Sequence, residues 1–380
     1  MTPYLAFAGL GVFWGIWGAT LPLLRSQAGV TDGEFGTALL FVGAGALPAM
    51  LVSGRLIDVL GLRVAGAMLA ILGLSGVVVA GAAADFATLC AAIFLVGAAS
   101  GATDVAINAL AATVERNTGR PVVSRSHAAF SLTVAAVSLG AGGLGTLTEN
   151  LFVNFTAGAV ASLVLAYTVH AWAGGRPAPS ESPKESAAPG PLALSVVPLL
   201  AVGVIGALAF ASENAYQSWG AVLLTDEYLA IPAVASLAPA AFAALAALTR
   251  FLAAETARTR PMTTVVLGAV LATVGGVVVV AAPSLWTAML GIAAAAVGTA
   301  VLFPTLVSYG LRSVPERSRG RATSAITSVA YLGFLLSPAY VGFLADASSV
   351  REAFLGVAAL TTALVALVPV LPTLRRRNLL

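Results

Sequence analysis

The chain has 380 residues, of which 59% are apolar and only 9% charged, with a formal net charge of +3; its mean hydropathy is +0.97. Soluble domains carry about 25% charged residues, and a water-soluble core of this length has no way to hide so much apolar surface. The composition therefore excludes a soluble globular protein and points to a chain that crosses a bilayer many times.

Windows of about 20 apolar residues bounded by charge or turn signals predict twelve spans. They run Tyr4–Leu24, Phe35–Val52, Val64–Ala83, Phe86–Val114, Ala128–Leu147 and Leu151–Ala173, then Ala193–Leu224, Ala230–Ala247, Met262–Ala281, Leu285–Tyr309, Ala322–Leu344 and Ala353–Leu371. The first lacks a basic leader and a small-residue cleavage site, so it is expected to stay as a helix. Seventeen Lys and Arg residues fall in every second loop or the tail, and two, Arg25 and Arg351, fall in the opposite loops. By the positive-inside rule the span number is even and both termini are cytoplasmic. One Lys against eighteen Arg, with abundant Ala, Gly and Val, suggests a GC-rich bacterium, hence a multi-pass protein of the bacterial plasma membrane.

Residues 174–191 break the pattern. GGRPAPSESPKESAAPGP has Pro, Ser and charge without an apolar period, as expected of a flexible linker. It divides the chain into a six-span half over 1–173 and a second over 192–380. The halves echo each other: Arg55 and Arg250 stand 195 positions apart, and Arg116 and Arg312 stand 196 apart. Parallel repeats of this kind place a solute site between them near the midplane.

Asp104 and Asn108 put a carboxylate and an amide four residues apart on one face of the fourth span. A charge near the bilayer centre costs about 2.5–3.5 kcal/mol on insertion scales, so such residues are rare and usually functional. By helical rise Asp104 lies about 16 Å from Glu115, and Glu213 in the seventh span about 20 Å from Asp226. Both are candidates for carrying a proton, because burial favours the neutral acid and a nearby donor or opposite charge favours the ion. The alternative for each is a protonated acid hydrogen-bonded between helices. Asn108, Trp14, Trp17, Gln217 and Trp219 share those faces and are the candidate solute-binding residues, the indoles as stacking platforms. For a Trp in a membrane helix, packing is the competing explanation.

The loop after the second span reads Gly54-Arg55-Leu56-Ile57-Asp58-Val59-Leu60-Gly61-Leu62-Arg63. Gly54 is suited to close helix contact and Gly61 to a tight turn. Asp58 is suited to accept from N–H groups at a helix start or to pair with a guanidinium. This loop resembles the loop 2–3 signature of the major facilitator superfamily, departing at Val59 where a basic residue is usual. The resemblance implies that Gly54, Arg55, Asp58, Gly61 and Arg63 form a cytoplasmic gate, closed in the outward-open state. Asp104-Val-Ala-Ile-Asn108 is similar to the fourth-span motif of the fucose, galactose and glucose permease branch of proton symporters. Glu213 followed by Ser218-Trp219, and Phe303-Pro304-Thr305, resemble two further motifs of that branch. The acid that its sugar symporters often carry in the first span is missing.

His127 and His170, expected at cytoplasmic interfaces, have no metal-ligand spacing. No Gly-rich phosphate loop with a Lys appears, nor a nucleophile with its base. The basic residues form no patch interleaved with aromatics. No enzyme activity, cofactor, metal or nucleic-acid partner is expected. The expectation is an all-α membrane protein of twelve helices in two pseudo-symmetric six-helix bundles, the major facilitator fold, acting as a monomer. It would move a small polar solute, sugars among the candidates, by proton-coupled symport and alternating access. The alternative is a proton-coupled antiporter exporting a drug or metabolite.

Overall fold

The computed structural model describes residues 1–173, 196–312, 314–315, 318–371 and 373, and among them there is no strand. Six long helices come first: α1 (Thr2–Ala28), α2 (Asp32–Leu60), α3 (Val64–Ala82), α4 (Phe86–Thr118), α5 (Val122–Leu147) and α6 (Leu151–Trp172). Next are α7 (Val196–Tyr228), α8 (Pro232–Ala235), α9 (Leu237–Leu252), the short α10 (Ala254–Thr259) and α11 (Pro261–Ala281). The chain ends with α12 (Leu285–Ala300), α13 (Leu302–Gly310), α14 (Arg319–Ala347) and α15 (Val350–Leu367). Taking α8 with α9 and α12 with α13 as single spans, twelve segments are long and apolar enough to cross a membrane. The linker expected over 174–191 lies outside the described residues, as do Arg317 and the basic tail from Arg375.

Local chemistry fixes the helix ends. Thr31 accepts the Glu34 N–H at 3.2 Å while the Glu34 carboxylate accepts the Thr31 N–H at 3.0 Å, a reciprocal cap on α2. Asp85 and Thr88 do the same for α4. The Thr88 backbone N–H and hydroxyl hold the Asp85 carboxyl below its ordinary range, so this cap is complete at neutral pH and is lost in acid. Gly119, at φ 64°, ends α4 in the left-handed region.

Several helices overrun the spans expected for them. α4 continues past Val114 to Thr118, α5 begins at Val122, and α9 runs through Arg250 to Leu252. Charge marks where a span leaves the apolar layer, but a helix ends where a cap takes its last carbonyls. Asp58 falls in the last turn of α2, which reaches Leu60, and so does not open a helix.

Helices in lipid gain little from burying apolar surface against one another, so their seams depend on small residues that bring backbones close. In the α2–α4 seam a Cβ at Gly97 would lie 2.0 Å from the Val42 carbonyl oxygen, and one at Gly45 would lie 2.1 Å from that of Phe94. Gly97→Ala is therefore expected to destabilise the protein by about 1–3 kcal/mol through overpacking. Gly143→Ala, whose Cβ meets nothing within 4 Å, should stay within about 0.5 kcal/mol of wild type. Superimposable melting curves for the two variants would contradict so tight a seam.

Contacts divide the chain into two compact units. One holds α1–α6 together with Ile231–Ala240; the other holds α7 and the chain from Ala241 onward. Residues 231–240 thus group with the first six helices, where the expected halves put them in the second. The reason is local: the Ala233 N–H donates to Thr146 Oγ1 at 2.9 Å, and Gly142 leaves no room for a Cβ beside Ser236. Each unit repeats one detail. Ser138 of α5 donates to the Gly15 carbonyl of α1 at 3.0 Å, as Ser337 of α14 donates to the Ala211 carbonyl of α7 at 2.6 Å. The second unit packs Val202, Ile205, Leu302, Leu306, Ile326 and Leu364 into one apolar core.

Candidate functional site

Asp104 is half-buried in α4, one turn before Asn108. The Asn108 amide donates to the Asp104 backbone carbonyl at 2.9 Å and to its Oδ1 at 3.1 Å. The other carboxylate oxygen bonds to no described residue, yet it is not among the sealed, unpartnered polar atoms. Oδ2 is therefore not sealed by the described residues. The ring of His127, on α5, meets Phe7 edge-on at 4.7 Å. With α5 starting at Val122, His127 is more than one turn inside a helix. Sequence reasoning missed it by beginning that span at Ala128.

Glu213 lies near the middle of α7 and is 7% exposed. It is not a lone acid. Arg250 of α9 donates to its Oε1 at 2.7 Å, and Gln217, one turn along, donates to the same atom at 3.2 Å. Arg250 has a second attachment, its Nε donating to the Ala300 carbonyl at 3.0 Å. That carbonyl is free because Pro304, four residues on, has no N–H to give it. Arg250 therefore joins α7, α9 and the α12–α13 break, and Phe303-Pro304-Thr305 acquires a structural role. The same device recurs in α14, where Pro338 frees the Phe334 carbonyl and Asn214 of α7 donates to it at 2.7 Å.

The Major Facilitator Superfamily model matches residues 4–279 and 202–379. The chain belongs to the major facilitator superfamily. It is 30% identical over 367 residues to the uncharacterized transporter y4wD of Sinorhizobium fredii, covering 95% of each chain. It is also 30% identical to an uncharacterized MFS-type transporter of Yersinia pestis, covering 92% of this chain and 90% of that one. A mutant of the nucleoside transporter NupG superposes with a TM-score of 0.78 at 15% identity, covering 97% of this chain and 98% of that one. At that identity the likeness concerns the fold alone.

The remaining candidates in this facilitator fall in different settings. Trp14 is half-buried and Trp17 is 5% exposed. Their rings meet edge-on at 6.0 Å, and Trp17 stacks on Phe13 at 6.0 Å. Trp219 is fully buried, and its indole N–H donates to the Pro338 carbonyl at 3.2 Å. In this conformation it packs α7 against α14 and offers no face to a solute. In the gate loop, Gly61 turns the chain at φ 79°, as its sequence position requires. Gly54 has nothing within 4 Å of a Cβ position, so the close helix contact expected there is not made. Arg55 and Asp58 are exposed, and neither has an ion pair among the described residues. Arg63 instead braces α3 on α6: its Nε donates to the Ala173 carbonyl at 3.4 Å, and its own carbonyl meets His170 Nδ1 at 3.1 Å.

Proposed function

We propose that this facilitator is a secondary active transporter that carries a small polar solute inward together with a proton. It works by alternating access, with 1–173 and 192–380 as its two halves and 174–191 as the linker. The observation that carries the reading is Asp104 itself, a half-buried acid in a membrane span with one oxygen held by Asn108 and the other not sealed. An acid so placed takes a proton when its surroundings are dry and gives it up when water or an imidazolium approaches. Coupling needs only that proton and solute favour the same one of two conformations.

The resemblance to the fucose, galactose and glucose permease branch supports symport over export. Asn108, Trp14, Trp17 and Gln217 are the residues assigned to the solute, with Trp219 joining them only if α7 moves off α14. Glu213 is the second protonatable group, restrained by Arg250. Gly54, Arg55, Asp58, Gly61 and Arg63 are assigned to a cytoplasmic gate. The distribution of basic residues puts both termini in the cytoplasm of a bacterial cell, and a monomer is sufficient for the cycle.

The test uses purified protein in weakly buffered liposomes, with sugars, organic acids and organic cations added outside. A solute that is carried should alkalinise the outer medium as it enters. Entry with no pH change for every solute that is taken up would reject proton coupling, and acidification would replace symport by antiport.

A further inference from the structure

Asp104 accounts for a coupling proton but leaves the Glu213–Arg250 pair without a task. Arg250 borders a cleft of about 290 Å³, lined also by Arg258, Thr305, Ser308 and a wall of alanines. That volume is at the small end of solute-binding pockets. Arg250 is the more exposed partner of the pair, its side chain 43% accessible against 9% for Glu213. Of the five guanidinium donors, one meets Glu213 and one meets Ala300. The rest make no hydrogen bond among the described residues. Arg258, at the mouth, is already held by Glu255 at 2.6 Å.

We propose that this cleft anchors the transported solute, and that the solute is an anion whose carboxylate, or similar oxyanion, replaces Glu213 on Arg250 once Glu213 is protonated. The proposal rests on the proton-coupled transport reading and adds the class of solute to it. A guanidinium that loses its counter-charge at the edge of the protein is stabilised by a replacement anion, and Arg250, 43% exposed, can be reached by one. A planar oxyanion fits the fork geometry that Arg presents. The exchange is balanced: one proton goes onto a Glu213 carboxylate oxygen, one negative charge goes onto Arg250, and the net charge of the cleft is unchanged. Arg250 is the only charged group that reaches Glu213 from α9. Among the described residues α12, α13, α14 and α15 bring none, and Gln217 on α7 itself does not titrate. Thr305 and Ser308 supply hydroxyls beside the anion, and the alanines leave room for a compact skeleton.

The experiment is equilibrium binding to purified protein in detergent, using paired probes: galacturonate against galactose, and benzoate against benzamide. Galacturonate or benzoate should bind the wild type with affinity rising at least about tenfold between about pH 8 and about pH 5. Glu213→Gln should bind it at least about tenfold more tightly than wild type at pH 8 and lose the pH dependence. Glu213→Gln combined with Arg250→Gln removes both charges, leaving neither unpaired, and should lose the binding while keeping a cooperative melting transition. The proposal is overturned if neutral probes bind as well as their acids, if Glu213→Gln leaves the affinity unchanged, or if neither acid binds that variant. Acid binding without solute-linked proton movement would reject the coupling reading alone; proton-linked uptake of a neutral solute would reject the anion site alone.

Discussion

Replacing Arg250 with Gln is expected to destabilise the protein, because Arg250 holds both the Glu213 carboxylate and the Ala300 carbonyl. Removing one partner of a buried ion pair costs about 3–5 kcal/mol because the other charge is stranded. Arg250 is 43% exposed, so water already screens the pair, and about 1–3 kcal/mol is the expected loss. Part of it comes from the Ala300 carbonyl, which Pro304 leaves without a helical donor and which Arg250 serves. The rest comes from Glu213, which loses the guanidinium that holds its Oε1. Melting curves of wild type, Arg250→Gln, and Arg250→Gln with Glu213→Gln, taken at neutral and acid pH, check this. The double variant should recover most of the loss at neutral pH. A single variant that melts like wild type at every pH would mean that the pair does not hold α7 to α9.

How much of this the sequence disclosed depends on the range of the interaction. The twelve spans are legible because each is a long apolar run between charges. Asp104 with Asn108 is legible because a spacing of four puts both on one helical face, and the observed hydrogen bonds lie within that turn. Gly61 is legible because a tight turn needs a residue free to take φ 79°. Arg250 was assigned to a loop, since an Arg at the edge of an apolar run looks like the end of a span. The helix instead continues two residues beyond it, and a long side chain brings the charge back to Glu213. A signal was present: an acid within span 7 needs a counter-charge, and Pro304 within span 10 leaves a carbonyl needing a donor. One nearby Arg satisfies both. His127 was lost for the opposite reason, because α5 starts a turn and a half before its apolar run. Trp219 was attractive as an aromatic next to an acid, but at i+6 from Glu213 it sits on another face of α7, and that face is buried against α14.

Asp104→Asn isolates the coupling step. An amide at position 104 keeps the size and the acceptor that Asn108 donates to, but it cannot hold a transferable proton. Solute binding and passive exchange are therefore expected to survive while the proton carried by Asp104 is lost. Each coupled proton sustains up to about tenfold accumulation per pH unit of gradient. In liposomes with an imposed inward proton gradient, Asp104→Asn should concentrate the solute less than wild type does. Both proteins should still exchange labelled for unlabelled solute when no gradient is present. Accumulation by Asp104→Asn equal to that of wild type would contradict the account, because the proton would then be travelling on some other group.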